Sequence, residues 1–485
     1  MRNKIKYQLS ELFVEWANEN VKEFFELPKS GSNRQYFRII SKNKQAIGVF
    51  NPNKDENNAF ISFAKTFLKN GLKVPEIYSF NKSNDIYLIE DLGDISLFSL
   101  LQKKPSPDRY DENILNFYKK SIRELIKFQI TSATDIDYSL CYPRANLDKQ
   151  SFLWDLNYFK YYFLKPSNIQ FDEQKLENDF NLLTEFLEKA DSNYFVFRDF
   201  QSRNILIKND EPYFIDFQGG RKGALQYDLV SLLYQVRAKI PEKIKQKLLE
   251  YYLRELKKHL PANVANFIKF YEGFKLIRLL QVLGAYGFRG KIERKSHFLK
   301  SIPHAIESLD FLLKNTKLEI NLPELFKSLK MLVEKEKNIP TKQKQGLTVS
   351  INSFSYKKGI PLDDSGNGGG FVFDCRALPN PGRYEEYKHL SGKDKKVIEF
   401  LEKETEVDDF FKNCFLLINQ SVEKYLQRGF KSLAVNFGCT GGQHRSVFGA
   451  EALSKHLSEK FKTLNIIVKH KEKENWNDGG QKLET

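Results

Sequence analysis

Residues 194–218 read YFVFRDFQSRNILIKNDEPYFIDFQ, and the rest of the chain is understood from this stretch. Tyr194–Phe197 is an apolar run that leads into Arg198 and Asp199. Ile205–Ile207 and Tyr213–Ile215 are short strand-like runs. Between them Asn209-Asp210-Glu211-Pro212 has turn chemistry, since Asn and Asp tolerate the left-handed backbone and Pro breaks a ladder. The spacing predicts a hairpin with Asn204 just before one strand and Asp216 just after its partner. Their side chains then meet at one open end.

Phosphoryl transfer from a nucleoside triphosphate asks for little covalent help from protein. It needs a cation to hold the phosphates and a group to orient the attacking hydroxyl. Mg²⁺ takes oxygen ligands and keeps several waters, so one amide and one carboxylate suffice, and Asn204 and Asp216 supply them. Asp199, five residues before Asn204, is placed to accept the hydroxyl's hydrogen bond and take its proton. Each piece alone is more often a turn or a cap. The joint pattern, on a strand–turn–strand frame, carries the reading.

Asp199-x4-Asn204 followed by Asp216-Phe217 resembles the aminoglycoside phosphotransferase and choline kinase superfamily, over about residues 1–325. The resemblance implies a sheet-bearing lobe and a larger helical lobe with ATP between them. Ser30 to Asn33, followed by Tyr36-Phe37-Arg38, is similar to the family's phosphate-covering loop. Glu90-Asp91-Leu92-Gly93 is similar to the hinge whose backbone meets adenine. ATP-binding residues are thereby expected at Ser32, Asn33, Arg34, Glu90 and Leu92. Tyr227-Asp228-Leu229 resembles a helix start in which Asp228 caps the helix and braces the site. Gly31 to Arg34, Val74 to Tyr78, Glu90 to Asp94, Arg198 to Asn204 and Asp216 to Gln218 together resemble the anomeric sugar kinases, which phosphorylate N-acetylmuramate or N-acetylglucosamine at C1. One departure stands out. The third strand, Ala46–Phe50, lacks the lysine that usually holds the α- and β-phosphates. Lys44, Lys54, Arg34 and Arg38 are the candidates to replace it.

A second constellation lies at Phe437 to Ser446, FGCTGGQHRS. An apolar strand leads in and a helix leads out. A Gly-rich turn in that position presents backbone N–H groups at the positive end of the helix dipole, which favours anions. Arg445 adds a fork matched to phosphate oxygens. Cys439 and Arg445 also have the C-x5-R spacing of cysteine-dependent phosphatases. Ser353 to Pro361, Phe371 to Asp374, Arg376 with Leu378 to Pro381, and Gly438 to Val447 resemble the RapZ C-terminal domain, over residues 347–473. That family binds glucosamine 6-phosphate and small regulatory RNA. Carried over by position, the sugar-phosphate pocket is expected from Asp374, Arg376, Cys439, Thr440, Gly441, Gly442, Gln443, His444 and Arg445. The family's N-terminal P-loop domain has no counterpart here.

The whole chain is expected to be α/β (α+β): a bilobal protein-kinase-like phosphotransferase domain at 1–325, a linker at 326–346, a smaller α/β RapZ C-terminal-like domain at 347–473 and a tail at 474–485. Asp363 to Gly370, DDSGNGGG, reads as a flexible loop. The 485 residues are 41% hydrophobic, enough for packed cores, and carry a formal charge of +15. That charge attracts nucleotides, sugar phosphates or RNA without choosing among them. The four cysteines have no ligand spacing, so neither a disulfide framework nor structural zinc is expected. With no signal-peptide core and no run approaching ~18 apolar residues, a cytoplasmic protein without a membrane span is expected. The expected activity is an ATP- and Mg²⁺-dependent sugar kinase whose partner is an amino sugar or sugar phosphate, with RNA a partner of the second domain. The alternative is a nucleotide-sensing, RNA-binding adapter with a weak or inactive kinase fold.

Overall fold

The computed structural model describes residues 2–28, 34–83, 85–104, 108–261, 263–337, 346–361 and 369–476. Two compact units emerge. One takes in residues 1–288 and 301–338, the other residues 289–300 and 339–485.

The first unit opens with α1 (Arg2–Ala17), β1 (Glu23–Glu26), β2 (Gln35–Ile40), β3 (Gln45–Phe50), α2 (Lys54–Lys69), β4 (Ile77–Phe80) and β5 (Ile86–Ile89). The strands form an antiparallel sheet in the order β1-β2-β3-β5-β4. Helix α2 starts at Asn53, whose side chain accepts the Glu56 N–H. It ends at Gly71, whose φ of 70° lets the chain turn away. Phe60, Phe63 and Phe67 recur at helical spacing and make its buried face.

The helical part comprises α3 (Leu97–Lys103), α4 (Glu112–Ile126), α5 (Lys149–Phe159), α6 (Glu173–Glu188), α7 (Gln226–Leu233), α8 (Glu242–Leu256) and α9 (Val264–Tyr286). The short α10 (Ser296–Leu299) falls in the segment grouped with the second unit. α11 (Ile302–Asn315) and α12 (Pro323–Lys337) complete the first. Four short strands interrupt the helices. β6 (Tyr194–Val196) pairs with β9 (Arg221–Gly223), and β7 (Ile205–Lys208) pairs with β8 (Glu211–Phe214). The expected hairpin is present, with Ile205 opposite Phe214. Asn209 and Asp210 turn it at φ of 52° and 57°, the two left-handed residues a tight hairpin turn requires.

Beneath the hairpin lies an aromatic core. Phe67 meets Phe128 at 4.7 Å and Phe217 at 5.3 Å between ring centroids, and Phe217 stacks on Phe60 at 4.9 Å. Helix α2 and the segment carrying Asp216 therefore share one packed interior, which fixes one against the other.

Two expectations are corrected. Residues 326–337 are not linker but the body of α12, where Leu325, Leu329, Leu332 and Val333 are buried. Their 3–4 spacing is an amphipathic stripe, obscured in the sequence by the charged residues that follow. The remaining linker residues, 338–345, lie outside the described residues. The glycine-rich run is also not all loop, because Gly370 opens a strand. A Cβ there would sit 1.9 Å from the Ala434 carbonyl oxygen, so the strand pair needs glycine. Residues 362–368, and 477–485 in the tail, are outside the described residues.

The second unit has β10 (Thr348–Ser355), β11 (Gly370–Asp374), β12 (Ser432–Cys439) and β13 (Asn465–His470) in a parallel sheet ordered β11-β12-β10-β13. Helices α13 (Lys395–Glu402), α14 (Thr405–Gln427) and α15 (Arg445–Lys460) belong to it. Val349, Ile351, Val435, Phe437, Val422 and Leu453 are in its core. Both central strands are almost wholly buried, although β10 alternates apolar with small polar residues and Asn436 interrupts β12; the Asn352 side chain donates to that of Asn436 at 2.8 Å. Among the described residues no helix is long and apolar enough to cross a membrane.

Candidate active site

The site begins with two strained backbones. Arg198 has φ of 73° and Asp216 φ of 68°, a region that costs a non-glycine residue energy and persists only when its surroundings impose it. Asp228 supplies part of that imposition. Its carboxylate is buried on α7 and accepts the Phe197 N–H at 2.6 Å and the Arg198 N–H at 3.1 Å. Burial pushes its pKa up to about 7, and the two N–H donors restrain the rise. The expected helix cap is absent: α7 begins after Leu225 with no side-chain cap. Asp228 reaches back to the loop instead. The Arg198 guanidinium pairs with Asp155 at 3.0 Å and lies over the Tyr227 ring at 5.7 Å.

The three residues singled out in the sequence come together. Asn204 donates through Nδ2 to the Asp199 carbonyl at 2.9 Å and to Asp216 Oδ2 at 3.3 Å. Gln218 donates to Asp216 Oδ1 at 2.7 Å and sets that carboxylate's orientation. The Asp199 carboxylate accepts from Gln201 and from Arg278, each at 3.2 Å. Burial alone would raise the Asp199 pKa, but Arg278, Arg203 and Arg198 outweigh it and hold it below the ordinary carboxylate value. Arg278 was not legible in the sequence. It lies 79 residues from Asp199 on α9, buried, and also donates to Ser231 at 2.9 Å and to Gln281.

Of the candidates for the missing strand lysine, one lies beside Asp216. Arg34, buried just ahead of β2, pairs with Glu56 of α2 at 2.7 Å and lies 3.7 Å from Asp216 Oδ1. Asn51 holds the other Glu56 oxygen at 2.9 Å. The other candidates are engaged elsewhere or carry no such link. Arg38 grips Asp91 at 2.5 Å and Asp94 at 2.9 Å, clamping the hinge, and Lys44 lies over Trp16 at 5.2 Å. Lys54 opens α2 and is exposed. Of the expected nucleotide contacts, Ser32 and Asn33 lie outside the described residues. Leu92 is buried. Glu90 uses its N–H on the Glu76 carbonyl at 2.9 Å and its carboxylate on Lys208 at 2.5 Å, so its side chain ties the hinge to β7.

Among the described residues no group of three or more His, Cys, Asp or Glu could cage a metal. One carboxylate beside one amide suits a hard cation that completes its shell with phosphate oxygens and water.

In the second unit β12 ends on Cys439, a loop follows, and α15 starts at Arg445. The Gly442 N–H donates to the Cys439 sulfur at 3.2 Å, and Ser446 Oγ lies 3.1 Å from it. Arg445 is buried and donates through one nitrogen to the carbonyls of Arg376 and Leu378, both at 2.8 Å. Arg376 is bound to Asp374 at 2.6 Å and stacks over Tyr356 at 4.1 Å. Gln443 reaches the Lys388 and Leu390 carbonyls and His444 the Tyr387 carbonyl, so these two side chains fasten the 387–390 loop. Thr440 and Gly441 are exposed at the loop's tip. Ser355, not among the expected pocket residues, braces the loop through the Thr440 carbonyl at 2.6 Å.

A family model described as the phosphotransferase enzyme family matches residues 25–262, and the RapZ C-terminal domain model matches residues 347–474. A nucleotide-binding protein of Thermotoga neapolitana is 38% identical over 132 residues, which is 27% of this chain and 44% of that protein. A nucleotide-binding protein of Fusobacterium nucleatum is 31% identical over 208 residues, 40% of this chain and 67% of that protein. The chain therefore spans less than half the length of the first of these curated relatives. Choline kinase from Cryptosporidium parvum is a solved structure similar to this one, with a TM-score of 0.46 at 13% identity over 68% of this chain and 100% of that chain. The hairpin site falls inside the first matched region and the Cys439–Arg445 loop inside the second, so the chain carries a domain of the phosphotransferase enzyme family at residues 25–262 and a RapZ C-terminal domain at residues 347–474.

Proposed function

We propose that the first unit transfers the γ-phosphoryl group of ATP to an N-acetylated amino sugar, N-acetylmuramate or N-acetylglucosamine, at its anomeric hydroxyl, and that the C-terminal domain binds an amino-sugar phosphate. The observation that carries this reading is the convergence of Asp199, Asn204 and Asp216, with Arg34 held by Glu56 at 3.7 Å from Asp216. Asn204 and Asp216 would hold Mg²⁺, which when bound neutralises phosphate charge. Asp199, ionised across the neutral range, is a weak base. It orients the sugar hydroxyl and receives the proton late, as the bond to phosphorus forms. Arg34 faces the phosphates in place of a lysine, with a planar fork rather than a point charge.

The sugar assignment is supported by the strings around Gly31, Val74, Glu90 and Asp216, and by the attached domain, whose family binds an amino-sugar phosphate. Both halves then serve phosphorylated amino sugars of cell-wall metabolism. The Arg34–Glu56 pair weighs against a nucleotide sensor without turnover, since the missing lysine is that reading's main motive.

The test is a panel of amino and neutral sugars with ATP and Mg²⁺, the new phosphate located by NMR. Phosphate at C1 of an N-acetylated amino sugar is expected. Phosphate only on sugars without the acetamido group would refute the assignment.

A further inference from the structure

The first unit holds two exposed arginines, Arg203 and Arg237, that make no contact in the site described above beyond the influence of Arg203 on Asp199. Arg203 sits in the turn between Asp199 and Asn204, and Arg237 in the short turn Val236–Ala238. Ser202 joins the two segments. Its hydroxyl donates to Gln235 Oε1 at 2.6 Å and its N–H to the same oxygen at 3.2 Å. That clip holds the chain one residue before Arg203 against the chain two residues before Arg237. Both arginines are exposed, and among the described residues neither forms an ion pair within 4.0 Å. Arg237 lies over the Phe98 ring at 5.0 Å, a contact made through the guanidinium face rather than its edge donors. Arg278 differs, being buried and committed to Ser231, Gln281 and Asp199.

The three guanidiniums share one region. Arg237, Arg203 and Arg278 all lower the phenol of Tyr286, against the burial that raises it, and Arg278 and Arg203 both act on Asp199. Asp199 and Asp228 both lie near the buried Arg278, whereas among the described residues no ion pair joins a carboxylate to Arg203 or Arg237. On the nucleotide side, Arg34 already faces the phosphates beside the cation ligands. Arg203 follows Asp199, the group that meets the acceptor hydroxyl in this reading, by four residues, and the Ser202–Gln235 clip brings the Arg237 turn to it, so the pair is read on the acceptor's side.

We propose that Arg203 and Arg237 bind an anionic group carried by the acceptor itself, a carboxylate or a phosphate ester, so that the site selects acidic sugars over neutral ones. The guanidinium fork matches either group in two-point fashion. This rests on the sugar-kinase reading of the same site.

The experiment uses the full chain with ATP and Mg²⁺ and three acceptors: N-acetylmuramate for the carboxylate, N-acetylglucosamine 6-phosphate for the phosphate, and neutral N-acetylglucosamine. One anionic sugar should exceed the neutral one in kcat/KM by about tenfold or more. The preferred arm identifies the group. In Arg203→Ala and Arg237→Ala that advantage should shrink through the KM of the acidic sugar rather than that of ATP, with partial recovery in Arg237→Lys. Equal kcat/KM for neutral and acidic sugars would overturn the proposal while leaving the kinase reading intact. So would an Arg237→Ala defect that appears in the KM for ATP. No turnover with any of the three would overturn both.

Discussion

Asp216→Asn should lower kcat for phosphoryl transfer by about 10³-fold while leaving the fold in place. The substitution preserves shape and still offers an acceptor to Gln218. It removes the charge that would hold the cation and that faces Arg34 at 3.7 Å. Asn, like Asp, tolerates φ of 68° better than most non-glycine residues, so no new backbone strain enters. The melting temperature should therefore stay within a few degrees of wild type. The two readouts separate chemistry from stability. A variant that keeps more than a tenth of wild-type kcat would show that Asp216 is not a metal ligand.

Asp228→Ala should be the most damaging single change outside the reacting groups. It leaves the N–H groups of Phe197 and Arg198 buried without an acceptor, at about 1–3 kcal/mol each, and opens space in a closed interior. A loss of about 3–5 kcal/mol is expected, read as a fall of several degrees or more in melting temperature. The same change frees Arg198 from its φ of 73°, so Asp199 loses its fixed position and kcat falls with stability. Asp228→Asn keeps one acceptor oxygen and should lose less of both. An Asp228→Ala protein with wild-type stability would refute the bracing role.

How much was legible in the sequence follows from distance along the chain. The β7–β8 hairpin was readable because its cause is local: two apolar runs, an Asn-Asp turn and polar residues at one end. The strand–loop–helix at Cys439 to Arg445 was readable for the same reason. Arg34 could be named as a candidate but not chosen, because the choice turns on Glu56 and Asp216 approaching it across 22 and 182 residues. Arg278 could not be named at all. It lies on the long apolar helix α9, and only the packing of that helix brings it to Asp199. Strand β13 escaped notice because its short apolar run, Ile466 to Val468, gains its meaning only by pairing with β10 at the sheet's edge. The second site shows the converse. The resemblance implied a pocket lined by Gln443 and His444, and in the structure both side chains fasten a neighbouring loop.

The phosphoryl-transfer reading is tested most directly by following label from γ-labelled ATP, with Mg²⁺, into an N-acetylated amino sugar, using the full chain and its Asp199→Asn variant. The expected result is labelled sugar phosphate formed in step with ADP by the wild type, and a rate lower by about 10²-fold or more in the variant. Equal labelling by both proteins, or no labelled sugar from the wild type, would contradict it.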